Sequence, residues 1–151
     1  MGHRAIQQQV LIEHETLAHV VSALRNTMSW HTDGLGFSRK LSSLRFVGES
    51  FQRHLKHLMQ LEKAEGYLSV VTTERPELSE QVRTLRKEGV SFRKEVREIL
   101  ARLKKLSGEN QGEFIAAVAD LSALLDRLDE HHRREIELLQ EALLRDEGGE
   151  G

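Results

Sequence analysis

His14, Glu62, Glu135 and the adjacent pair His131–His132 are polar residues set in stripes that are otherwise apolar. At about 100° per residue, His14 continues the row of Val10, Leu17 and Val21. Glu62 lies in the stripe of Leu44, Phe51, Leu55 and Leu58, and Glu135 sits among Leu128, Leu139 and Ala142. His131 and His132 flank that last stripe on opposite sides, and Gly89 falls at the centre of Val82, Leu85, Phe92 and Val96. An ionised carboxylate buried in such a stripe costs several kcal/mol unless it is paired or holds a metal. Two carboxylates and two imidazoles brought together would bind a divalent or trivalent cation, and their oxygen and nitrogen donors suit iron, manganese or zinc. His131 and Glu135 are four apart, so both can reach one ion from a single helix face. Taken singly, each has an ordinary alternative. His14 fits as a core histidine, Glu62 as a carboxylate reaching out from a helix edge, and Glu135 as a partner of Arg93 or Arg134.

Other chemistry drops out. The chain has no Cys, which removes disulfides, thiolate metal sites and cysteine nucleophiles. His14-Glu15 followed by His19 is one residue too long for a zinc-protease motif, because a step of five turns the second ring about 140° away. His54 lies at a stripe's edge, His57 further round in solvent, and His3, His19 and His31 have no inward partners. No glycine-rich phosphate loop and no Ser-His-Asp order is present. Lys and Arg number 22 against 24 Asp and Glu, a net charge of −2, so nothing draws the whole chain to nucleic acid. The basic runs Arg83 to Lys87 and Arg102 to Lys105 are broken by acids or lack aromatics and read as solvated helix faces.

The elements that must place these residues are helical. With 30% charged residues and a single Pro, the composition favours long solvated helices. Four are expected: Ala5 to Thr32, Ser38 to Val71, Glu77 to Leu106 and Glu113 to Arg145. The breaks are Asp33-Gly34-Leu35-Gly36, Thr72 to Pro76, and Ser107 to Gly112, with Pro76 at a helix start where its missing N–H costs nothing. Short loops between long amphipathic helices make neighbours antiparallel. The expected fold is all-α, an up-down-up-down four-helix bundle in a single domain spanning 1–151, frayed at 1–4 and 146–151. Met1-Gly2-His3-Arg4 opens no apolar run, and no stretch approaches the roughly 20 residues of a membrane span. A cytoplasmic protein without membrane or nucleic-acid partners is the expectation.

Reflection through loop midpoints near residues 36, 74 and 110 tests whether the polar exceptions share a depth. His14 falls within a turn of Glu62, Glu62 opposite the neighbourhood of Gly89, and Gly89 opposite about residue 131, each to roughly 5 Å. His14, Glu62, Gly89, His131 and Glu135 thus form one layer across four helices.

The segments Leu11-Ile12-Glu13-His14, His57 to Tyr67, Arg75 to Phe92 and Glu130 to Asp146 resemble the hemerythrin-like, HHE cation-binding family over nearly the whole chain. The resemblance implies a four-helix bundle with a non-haem iron centre, usually of two irons, serving oxygen binding, iron handling, or redox and nitric-oxide sensing. It implies His14 as the first-helix ligand, Glu62 as the second-helix carboxylate, and His131 with Glu135 on the fourth helix; it also selects His131 over His132. Two positions depart from the family pattern. Leu58 stands where a second-helix His is expected, and Gly89 where a third-helix His is expected. A glycine inside a helix costs about 1 kcal/mol relative to alanine, and facing the core it leaves room for water, an exogenous ligand or the Arg93 side chain.

The expected function is binding or sensing of a small molecule such as dioxygen or nitric oxide, without turnover. The cofactor would be mono- or dinuclear iron, with zinc or manganese also suited to the donors. The alternative is a metal-free bundle whose degenerate site leaves a structural or protein-interaction module. A ferritin-like oxidase is disfavoured, because Glu62 to Glu65 offers no Glu-x-x-His pair.

Overall fold

The computed structural model describes residues 2–30, 36–64, 67–107 and 109–148. Five helices carry them: α1 (Gly2–Met28), α2 (Gly36–Ala64), α3 (Tyr67–Glu74), α4 (Ser79–Lys105) and α5 (Gln111–Gly148). No strand occurs among the described residues. The four long helices match the expected ones, with shifted ends. The first stops at Met28, and residues 31–35, among them the expected end at Thr32, lie outside the described residues. The expected second helix is divided: α2 ends at Ala64 and α3 begins at Tyr67. Helix α1 includes Gly2 to Arg4, and α5 continues past Arg145 to Gly148, while residues 1 and 149–151 lie outside the described residues.

Helix α1 packs along α2, α4 along α5, and α2 against α4, while the short α3 touches all four long helices. Its two inward residues, Leu68 and Val71, are three apart and buried, the spacing a one-sided helix needs. The expected inward rows are buried in fact. Leu17, Leu24, Leu44, Phe51, Leu55, Leu58, Leu103, Leu121, Leu124 and Leu128 are sealed from solvent and form one continuous core.

Pro76–Leu78 form a single 3-10 turn that leads into α4. At the other end of α4, the Arg45 guanidinium from α2 donates to the carbonyls of Leu103 (2.9 Å), Lys104 (3.2 Å) and Leu106. A helix ends with carbonyls that have no partner in the helix, and a cation there also opposes the negative pole of the helix dipole. Arg45 thus ties α2 to the end of α4. Lys40 similarly donates to the Trp30 carbonyl at 2.9 Å and lies over the Phe114 ring, which meets Phe37 edge-on. Across the surface, Arg25 of α1 bridges Asp126 and Asp129 of α5, both at 2.9 Å. These links hold the helices in fixed register, and that register sets the depth of every inward polar side chain.

Candidate metal centre

Three long helices deliver one donor each. His14 of α1 is 7% exposed and Glu135 of α5 is 1% exposed. His14 Nε2 lies 3.3 Å from Glu62 Oε1 of α2 and 4.0 Å from Glu135 Oε2. One ligand atom from each of the three falls within 4.8 Å of the others. Donor atoms bound at about 2.0–2.2 Å to one tetrahedral or octahedral ion stand about 3.0–3.6 Å apart, so the trio is close to the size of a coordination shell.

The polar atoms of this trio face one another and are not used by groups outside it. Both ring nitrogens of His14, Oε1 of Glu62 and both carboxylate oxygens of Glu135 are buried without a hydrogen-bond partner. Nearly all buried polar side-chain atoms in folded proteins have a partner, so five orphans in one cluster need an explanation. A cation supplies one, since it would take lone pairs from all three side chains together. The pairing of Glu135 with Arg93 or Arg134 is absent: Arg134 instead grips Glu88, with both carboxylate oxygens at 2.9 Å.

His131 is 3% exposed and stands beside the trio. Its Nε2 lies 3.7 Å from Glu135 Oε2, while Nδ1 lies 2.9 Å from Glu88 Oε1. Burial works against ionisation of Glu88, but its bonds to His131 and Arg134 prevail and hold its carboxyl below the usual range. An ionised Glu88 accepts a hydrogen bond from Nδ1–H, and this tautomer leaves the Nε2 lone pair facing Glu135. His132 also turns inward. Its ring meets His14 edge-on with centroids 4.6 Å apart, and it lies 5.6 Å from the His131 ring. The two neighbours therefore do not compete for one inward position: His131 serves the α4 side and His132 the α1 side.

Electrostatics follow from burial. Desolvation pushes the Glu62 carboxyl up to about 7, with Glu135 drawing it partly back. Burial raises Glu135 well above the usual carboxylate range, and the facing Glu62 raises it further. Burial lowers His14, partly offset by Glu135, and lowers His132 strongly, helped by the two neighbouring imidazoles. Without a cation, burial favours neutral His14 and His132 and protonated Glu62 and Glu135. With one, the same groups are ready to release protons and ligate.

Gly89 borders a cleft that reaches this cluster, in company with Glu62, His131, His132 and Glu135. A Cβ at position 89 would meet only Met59 Cε, at 3.6 Å. Leu58 is fully buried in the core, so the second-helix position where the resemblance expects a His is packed with hydrocarbon. His57 is half exposed and pairs with Glu13 at 3.4 Å, and His19 is exposed. Glu88 was missed from sequence because it falls at the edge of the inward row of α4, and Arg134 was read there as a partner of Glu135 rather than of Glu88. The signal available for Glu88 was its spacing, three residues after Leu85 and four before Phe92.

Comparisons with protein-family models, with curated proteins and with solved structures find no match to this chain.

Proposed function

We propose that the chain is a hemerythrin-like up-down-up-down four-helix bundle, with α3 as a jointed end of the second long helix. His14, Glu62 and Glu135 hold a non-haem metal ion, with His131 as the fourth donor. Iron suits this mixed nitrogen and oxygen set, and zinc or manganese would also fit. The observation that carries this proposal is the cluster of five buried, unpartnered donor atoms on three side chains from three helices. Iron bound there would supply redox chemistry and open coordination positions for dioxygen or nitric oxide. The protein's own residues orient the donors, exclude bulk water and present one cleft at Gly89. Binding or sensing of such a molecule, without turnover, is the role proposed for this centre.

A second function has its own support. Leu58 and Gly89 occupy the two positions where the resemblance expects imidazoles, and a bundle with this loss would serve as a metal-free structural or interaction module. Anaerobic titration of chelator-treated protein with Fe(II), followed by thermal melting, separates the two. A ligand that binds only the folded state raises the melting temperature by mass action. Saturable stabilisation at a ratio of one or two ions per chain supports the metal centre. Melting that neither iron nor chelator moves supports the metal-free module.

A further inference from the structure

The cleft at Gly89 has a volume of about 450 Å³, within the range of small-molecule sites. It runs in between α2 and α4 and ends on the His and Glu cluster. Met59, Leu68, Leu85 and Val90 give it hydrocarbon walls between that polar inner end and the mouth, and Val90 is 73% exposed. Three cations, Lys63, Arg86 and Arg93, line it as well. Arg86 and Arg93 stand three residues before and four after Gly89, on one helix face, and about 10 Å apart along the axis. Neither forms an ion pair or hydrogen bond among the described residues. The acids nearest them in sequence are otherwise engaged: Glu88 is held by His131 and Arg134, and Glu95 by Arg127.

An exposed valine between two unpaired arginines, over an apolar passage, is a poor surface for water and a good one for an amphipathic anion. We infer that the cleft binds a small organic carboxylate with a short apolar body. The carboxylate lies at Arg86 and Arg93, whose planar donor forks match carboxylate geometry. The body runs inward along Met59, Leu85 and Val90. The side chain missing at Gly89 makes the passage. This site borders the proposed metal centre but stands on its own walls and cations, so it does not require a bound metal.

The test is calorimetric titration of the full chain with octanoate, benzoate and inorganic phosphate, in chelator-treated and Zn(II)-loaded forms. Saturable binding of one octanoate or benzoate per chain is expected in both forms, with phosphate at least about tenfold weaker because it has no body to bury. The Arg86→Gln/Arg93→Gln double variant should weaken octanoate at least about tenfold. Gly89→Leu, which fills the passage, should abolish binding while the helical circular dichroism remains. The double variant changes only exposed side chains, so it decides the matter even where Gly89→Leu does not fold. The site is overturned by no saturable binding below about 10 mM, by phosphate binding as tightly as octanoate, or by binding that the double variant leaves unchanged. Octanoate binding that appears only with zinc present also overturns it. Octanoate binding without any metal uptake would count against the metal centre alone, and metal uptake without octanoate binding against the cleft alone.

Discussion

Glu135 is the residue at which stability and function pull apart. Its carboxyl is 1% exposed and both oxygens lack partners, so in the metal-free protein it is a cost that a hydrocarbon of similar size would remove. Glu135→Leu should therefore stabilise the metal-free protein by about 1–3 kcal/mol at pH 8 in urea denaturation, and abolish metal uptake. A loss of stability would mean that Glu135 is a structural group with a partner. Glu62 sets the pH dependence. Its carboxyl is raised in the fold from 4.5 to about 7, so below pH 4.5 it is protonated in both states and costs nothing. As pH rises from 4.5 through 7, the unfolded chain gives up the proton first. Metal-free stability should then fall by about 3 kcal/mol from this group, with Glu135 acting in the same direction. Metal-loaded protein should show the opposite slope, because an ion competes with those protons. Parallel urea melts at pH 5 and pH 8, with and without Zn(II), read both slopes; equal slopes would refute linkage to the cluster. Glu88→Gln should weaken metal affinity by about 10- to 100-fold with little change in melting of the metal-free protein.

At the scale of helices, two glycines on facing helices give opposite expectations. Gly89 lies in α4 with space beside it, and a Cβ there makes an ordinary contact with Met59 Cε. Gly89→Ala should stabilise the protein by up to about 1 kcal/mol through helix propensity. Gly48 lies in α2, where a Cβ would come within 2.7 Å of Leu100 Cδ2 on α4. Gly48→Ala must push the Leu100 side chain aside and should lose most or all of the same gain, as denaturant midpoints of the two variants would show. The helices themselves were legible because their apolar spacing is strong. Val10, Leu17, Val21 and Leu24 of α1, like Val82, Leu85, Phe92 and Val96 of α4, are buried as the spacing demands. The joint between α2 and α3 was not legible, because Leu68 and Val71 extend the apolar pattern of the preceding helix and disguise a new element as its last turns. The layer of His14, Glu62 and Glu135 was readable because each interrupts an apolar row. The roles of Glu88, Arg134 and His132 were not, because each depends on which way a side chain turns across a helix boundary. Periodicity reports a residue's face but not its rotamer.

The whole molecule is a helical frame that holds one unusual layer. Among the described residues no helix is long and apolar enough to cross a membrane, and hydrocarbon fills the core on either side of the layer. Arg45 at the end of α4 and Arg25 across α1 and α5 keep the helices in register, so the donors are positioned before any ion arrives. The central claim is that the layer holds a transition metal. Elemental analysis of protein purified from iron-fed cells, beside His14→Ala and Glu135→Ala, addresses it most directly. About one or two equivalents of iron in the parent protein, falling to background in both variants, is the expected result. Less than about a tenth of an equivalent of any transition metal in the parent protein, or undiminished metal in the variants, would contradict it.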